Sequence, residues 1–350
     1  MRVLRPKPLR TDASVTVVVP CYRYGHHLPS LVAWALDQPG LDTRVLIVDD
    51  ASPDDSGDRA EQLARADPQI RVLRHRANQG HIRTYNDGLR EVETDYVMLL
   101  SADDLVPPGA LTRAVALMEH HPTVGLVYGY ARSFEGDPPE PRSGVRNWTV
   151  WRGSEWIGMS VRQARCFVTS PEVVMRTAAL RSVGDYDARL PHSADFDLWL
   201  RTALQWQIGR VNGPDQALYR VHDANMHLTT FAGWVTDLQE RRATFDILFG
   251  EHAASRPEIQ RLRGVATRAL ATEALRRALA GHRDGLDATE VDRLARLSFE
   301  IDPGVLSTPR GVVWRLGPGR GRELPGGRPR RFASQVRHHL QWRRERRYGF

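Results

Sequence analysis

The chain has 350 residues, 41% of them hydrophobic, enough for two domains or one large domain with an appendage. No stretch approaches the ~20 consecutive apolar residues of a membrane span. The basic N-terminus MRVLRPKPLRTDAS lacks the apolar core of a signal peptide, and the two cysteines, Cys21 and Cys166, make neither a disulfide framework nor a Cys-rich zinc site, so a reducing cytoplasm is the expected setting. Of the net charge of +7, residues 310–350 carry +10 (12 arginines against Glu323 and Glu345), which leaves the preceding 309 residues with 37 basic and 40 acidic side chains, a net of −3. Lys7 is the sole lysine. A P-loop enzyme is thereby excluded, because no Gly-Lys-Ser/Thr exists. The same scarcity argues against a signalling receiver domain, whose chemistry wants a lysine beside an acidic pocket like LIVDDAS. A Rossmann dehydrogenase needs Gly-x-Gly-x-x-Gly after its first strand, where this chain reads Pro20-Cys21-Tyr22.

From residue 15 strand and helix signals alternate. Residues 15–19 (VTVVV), a β-branched run ending at Pro20, predict a strand. Residues 28–36 have helical composition, and RVLIV at 44–48 predicts a second strand that ends in Asp49-Asp50. A turn follows at 52–58, then a helix over 59–66, a short strand over 70–73 and a helix over 82–92. YVMLL at 96–100 predicts a strand buried on both faces. A helix over 111–119 and a strand over 124–128 complete the series. The alternation implies a mostly parallel α/β sheet flanked by helices. Residues 134–147 (FEGDPPEPRSGVRN) are aperiodic and read as a mobile flap or a plain solvated connection. A strand at 172–175 and a helix at 195–204 follow. After Phe231 the composition turns helical, over 234–249, 258–279 and 288–299, the last with a capping box from Asp287 to Glu290. Residues 303–329 read as irregular, and 332–347 place Phe332, Val336 and Leu340 four apart among arginines.

Carboxylates gather where predicted strands end. Asp103-Asp104 leaves a buried strand, and burial of two charges is costly unless a cation or hydrogen-bond donors meet them. Ligands of open α/β sheets sit beyond the carboxyl ends of strands, so the pair is a candidate cation and phosphate site, or else it caps the next element. Asp49-Asp50 can accept hydrogen bonds from a base or ribose, or cap. Gly80, in Asn78-Gln79-Gly80-His81, permits close backbone approach to a ligand, with Asn86 two turns beyond. Asp195, in His192-Ser193-Ala194-Asp195, stands at a helix mouth where the dipole favours a carboxylate; it is a candidate general base or an N-cap.

These stretches stand together, in order, as VTVVVPCYRYGHHLPSLVAWALDQ, VLIVDDASPDDS, NQGHIRTYNDGL, YVMLLSADDLVPPGAL, VMRTAALRSVGDYD, SADFDLWLR and YRVHDAN. So arranged, over about residues 14–225, the chain resembles the family 2 inverting glycosyltransferases of the GT-A fold. The resemblance implies a nucleotide-sugar-binding half (15–128) after a leader (1–14), an acceptor-binding half (129–230), a helical appendage (231–305) and an Arg-rich tail (306–350). It implies that Asp50, supported by Asp49, binds the base and ribose, with Pro20 and Tyr22 lining that pocket. Asn78, Gly80, Asn86 and Ala102 would border the sugar nucleotide. Asp103, with Asp104 beside it and His222 near the diphosphate, would hold Mn2+ or Mg2+, and Asp195 would be the catalytic base. Three positions depart from the family pattern: Ser101 replaces the first acid of the Asp-x-Asp motif, Ala194 replaces the first acid before the base, and Tyr85 stands where an arginine is frequent. A UDP-sugar is the expected donor, and a hydroxyl of a polysaccharide, lipid-linked intermediate or small natural product the acceptor. A non-catalytic sugar-nucleotide-binding protein and a nucleotidyltransferase are the alternatives. The tail predicts a peripheral contact with an anionic membrane, or packing on the body or in a homodimer. No recognised nucleic-acid motif accompanies it.

Overall fold

The computed structural model describes residues 1–10, 12–223, 225 and 233–315. They divide into two compact units, one formed by 1–156 with 167–222 and the other by 157–166 with the residues from 223 onward.

The first unit opens with β1 (Arg2–Leu4) and continues β2 (Ala13–Cys21), α1 (Leu28–Leu36), β3 (Leu41–Asp49), α2 (Ser56–Ala66), β4 (Ile70–Arg74), α3 (His81–Arg90), β5 (Tyr96–Leu99), α4 (Ala110–His120) and β6 (Val124–Tyr128). Then come β7 (Ala131–Phe134), β8 (Asn147–Trp151), α5 (Gly153–Gln163), whose residues from Ile157 on belong to the second unit, β9 (Val174–Arg176), α6 (Thr177–Val183), α7 (Ala194–Gln205), β10 (Gln207–Asn212) and β11 (Ala217–Arg220). Nine strands form one sheet in the order β1-β8-β10-β6-β9-β5-β2-β3-β4, and β11 pairs with β7 in a second, two-stranded sheet. β2, β3, β4 and β5 are mutually parallel neighbours, as are β6 and β10, whereas β8 and β9 run against their neighbours. The alternation of apolar residues in β2 and β3 buries Val15, Val17, Val19, Val45 and Ile47 with Leu28, Leu31 and Ala35 of α1, which recur at helical spacing. On α3, Gly88 has no side chain because there is no room for one: a Cβ there would stand 2.6 Å from Val18 and 2.8 Å from Val48.

Several elements differ from the sequence expectation. Arg2–Leu4, assigned to a leader, pairs antiparallel with β8 at the sheet edge. Residues 170–172 form a 3-10 turn, so β9 begins only at Val174. The 134–147 stretch begins and ends in strands, and its middle is anchored. Asp215, fully buried, accepts the Arg142 backbone N–H at 3.0 Å and its Nε at 2.9 Å, and the Asp215 N–H donates back to the Arg142 carbonyl at 2.9 Å. The Arg142 guanidinium also lies 4.9 Å above the Tyr130 ring. Asp215→Ala should therefore destabilise the fold by about 1–3 kcal/mol, the cost of buried donors left unmade. The ~3–5 kcal/mol of a fully buried pair does not apply, because the Arg142 side chain is 44% exposed and rehydrates. A fall in the urea midpoint at constant slope would report it, and an unchanged midpoint would mean that the loop is not clamped.

The second unit holds α8 (Trp234–Ile247), α9 (Pro257–Gln260), α10 (Arg263–Asp284), α11 (Ala288–Ile301) and α12 (Pro309–Arg315). α10 stops at Gly285, whose φ of +79° suits glycine. The Asp287 side chain caps α11 by accepting from Thr289 and Glu290 N–H groups. Ala271, Leu275 and Val305 form a small core with Phe299, Ile301 and Trp314 around them. The stretch after 303, expected to be irregular, contains a 3-10 turn over Pro303–Ser307 and then α12. The Phe332/Val336/Leu340 stripe of the tail lies outside the described residues. Among the described residues no helix is long and apolar enough to cross a membrane.

Candidate active site

The order β5-β2-β3 sets three parallel strand ends side by side, and Tyr22, Asp50 and Asp103 stand in the segments just beyond them. Beyond β3, Asp50 is buried and its carboxylate is engaged by one loop. Oδ1 accepts the Gln79 N–H at 2.8 Å and lies 2.7 Å from His75 Nδ1, while Oδ2 accepts the Gly80 N–H at 3.0 Å. Asn78 Nδ2 donates to the Asp50 carbonyl at 3.2 Å. Gly80, at φ +80°, is the residue that can make this turn. Asp50, Asn78 and Gly80 are thus brought together, with Asp50 holding the shape of the 75–80 loop. Asp49 is buried, its nearest cation being Arg74 Nε at 3.6 Å. Tyr22 stands exposed after β2, and Pro20 is half-buried. Asn86, expected to border the donor, is buried: its Oδ1 accepts the Tyr186 N–H at 2.9 Å and its Nδ2 donates to the Tyr186 carbonyl at 3.0 Å.

Beyond β5, the two neighbouring acids face different partners. Asp103 Oδ2 lies 2.9 Å from His222 Nε2. Asp104 turns inward and accepts the Arg220 backbone N–H at 2.9 Å, while Arg220 Nε donates to the Asp103 carbonyl at 2.9 Å. Burial, and then the Asp103 charge, push the Asp104 carboxyl well up. Ala102 is buried behind them. Rings from the turn after β2 pack beside His222. Tyr24 lies 5.7 Å from His222 and stacks on His27 at 5.9 Å, and desolvation with the neighbouring His26 and Arg220 holds His27 down to about 4, so it is neutral at pH 7. Among the described residues no three His, Cys, Asp or Glu side chains gather tightly enough to hold a metal by themselves.

Asp195, in the first turn of α7, is half-buried. Its Oδ2 accepts the Ser170 hydroxyl at 2.8 Å and its Oδ1 accepts the Phe196 N–H at 2.6 Å. Burial raises its carboxyl above the ordinary value, and the Ser170 hydrogen bond opposes that rise. Ser170 was not among the sequence candidates. Its signal is the Thr169-Ser170-Pro171-Glu172 capping box, in which the Thr169 N–H donates to buried Glu172 at 2.8 Å and fixes the turn. Tyr85, on α3, packs edge-on against His81 at 5.5 Å and Tyr186 at 5.6 Å, and burial, then the charges of Asp195, Asp103 and Asp104, push its phenol far up. In the same way Cys21 is pushed up to about 12 by burial and the charges of Asp49, Asp54 and Asp103, against a hydrogen bond with the backbone at Tyr24.

The sequence profile described as Glycosyl transferase family 2 matches residues 16–182. An undecaprenyl-phosphate mannosyltransferase of Micrococcus luteus is 30% identical over 200 residues, 54% of this chain and 77% of that protein. The chain belongs to glycosyl transferase family 2. The uncharacterized glycosyltransferase alr2836 of Nostoc is 26% identical over 230 residues, 65% of this chain and 70% of its own. The mannosyltransferase PcManGT of Pyrobaculum calidifontis, solved with GDP-Man and Mn2+, superposes with a TM-score of 0.55 at 15% identity over 92% of this chain and 84% of its own, which identifies the fold as GT-A. The matched span of this family 2 glycosyltransferase contains the β2, β3 and β5 strand ends.

Proposed function

We propose that this glycosyltransferase works by a single inverting displacement at the crevice between Asp103 and Asp195, with a nucleoside-diphosphate sugar, UDP-linked in the first instance, as donor and a hydroxyl as acceptor. The observation that carries this reading is a pair of carboxylates held in different settings: Asp195 Oδ2 accepts the Ser170 hydroxyl at 2.8 Å at the mouth of α7, and Asp103 Oδ2 lies 2.9 Å from His222 Nε2 beyond β5. On this reading Asp195 takes the acceptor proton, while Asp103 attends the diphosphate. Asp195 is kept basic by burial, and Ser170 orients it by holding Oδ2. Asp50 keeps the 75–80 loop in shape for the nucleotide, and exposed Tyr22 offers it a ring face.

The donor set fits a divalent cation held jointly with the substrate. Asp103 offers a hard oxygen and His222 a ring nitrogen, and Asp104 is committed to the Arg220 backbone. Two protein ligands with the remainder from phosphate oxygens and water is the usual arrangement for Mg2+, and Mn2+ suits the same ligands. When bound, such an ion neutralises charge gathering on the departing diphosphate.

A thermal-shift panel of UDP, GDP, TDP and CDP, each with Mn2+, tests the reading. The cognate nucleotide at 100 times its Kd should stabilise the fold by about 2.7 kcal/mol. A panel in which no nucleotide moves the midpoint would sink the proposed donor site.

A further inference from the structure

The second unit contains a groove that the transfer reaction does not use. It is a shallow depression of about 720 Å³, open to solvent, between the last turn of α5, one face of α10 and the start of α12. On α10, Val265, Arg268, Thr272 and Arg276 recur at three- and four-residue steps and so share that face. Arg162 and Arg310 complete the lining, so four guanidiniums meet one carboxylate, that of Glu273.

The charges do not cancel within the groove. Glu273 is bound by both Arg276 and Arg277, and Arg268 pairs with Asp302. Arg162 donates only to the Gly158 carbonyl of its own helix, and Arg310 meets no carboxylate among the described residues. Both are exposed. A surplus of cations is thus concentrated at one place on a body that carries a net of −3 over residues 1–309. Guanidinium forks match the tetrahedral oxygens of phosphate and bind them in pairs. Gly264, exposed at the rim, adds no side chain that would crowd such a group. Val265, 41% exposed, supplies an apolar strip beside the cations.

We propose that this groove is an anion site for a phosphate ester, either the headgroup of a lipid phosphate or a soluble phosphomonoester. Its test uses the full chain, with the basic tail present throughout, so that any difference between variants reports the groove alone. Binding of glycerol 1-phosphate and of dihexanoyl phosphatidic acid is measured by calorimetry for the wild type and for R162A/R310A. The wild type is expected to bind saturably and more weakly as salt rises, and the variant to bind at least about tenfold more weakly. Nucleotide-linked thermal stabilisation should be the same in both proteins. Binding of phosphatidic acid alone identifies the lipid source, and equal binding of the two probes identifies the phosphate ester itself as the ligand. Absence of saturable binding, or equal affinity of variant and wild type, overturns the proposal. If the double variant fails to fold, R310A alone, altered at an exposed position, must show the loss.

Discussion

Asp195→Asn is expected to lower turnover by about 10²–10⁴-fold, the range that a positioned general base supplies, while donor binding is retained. The amide keeps the shape of the carboxylate and can still accept the Ser170 hydroxyl, but it loses the capacity to take a proton and the second acceptor oxygen that meets the Phe196 N–H. Turnover at saturating donor, compared with nucleotide affinity from the thermal shift, separates the two effects, and wild-type turnover in the variant would end the assignment. A pH profile adds a second readout. Burial raises the Asp195 carboxyl, and a base must be ionised, so activity should fall with decreasing pH at a higher value than for an ordinary carboxylate. Ser170 donates to the charged form. Ser170→Ala should therefore move that acid limb further up and leave the rate at its alkaline plateau much less affected. Stability runs the other way. Because the folded state holds the proton more tightly than the unfolded chain, stability declines as pH rises from the ordinary carboxylate value through the raised one. Above that window the ionised group costs stability, a cost that the neutral Asp195→Asn variant removes while giving up one acceptor, that for the Phe196 N–H.

Asp103→Asn is the second large effect. Removing a ligand partner from outside the metal shell typically costs about 10–100-fold in metal affinity, and loss of a direct carboxylate ligand should cost at least as much. Turnover followed against Mn2+ concentration should thus show half-activation at least about tenfold higher. His222→Ala, which removes the group 2.9 Å from Asp103, should shift the same curve in the same direction. By contrast Asp104→Asn, which can still accept the Arg220 backbone N–H, should leave the curve in place. An unchanged metal dependence in Asp103→Asn would remove Asp103 from the proposed ligand set.

The first half of the fold was legible because its elements are local. Residues 28–36 and 124–128 form the helix and strand that their composition predicts, and β2, β3 and β5 are β-branched or apolar runs. The second half was less legible because its strands break the hydrophobic pattern. β10 reads QIGRVN, yet Arg210 and Asn212 within it are buried. The Arg210 Nε donates to the Gly129 carbonyl at 3.1 Å, and its guanidinium lies 5.7 Å from the Tyr128 ring, partners 80 or so residues away that composition does not reveal. Similarly, Asp49, Asp50, Asp103 and Asp104 all read as ligands or caps from sequence. Only the three-dimensional arrangement separates Asp50 and Asp104, which hold main-chain N–H groups, from Asp103, which meets His222. Asp195 was visible at its helix mouth, whereas Ser170, 25 positions earlier, reaches it only because β9 reverses direction beside β5.

That reversal has a consequence for how the molecule is made. β5 and β6 follow each other along the chain but are not paired with each other; a three-residue strand that emerges from the ribosome only after residue 174 fills the slot between them. Until then β5 carries an open backbone edge, and β6, whose other neighbour β10 (Gln207–Asn212) is later still, has no strand partner on either side. Completion of the nine-stranded sheet must wait for this late insertion, and a polypeptide truncated before it would present those edges to its neighbours as templates for aggregation.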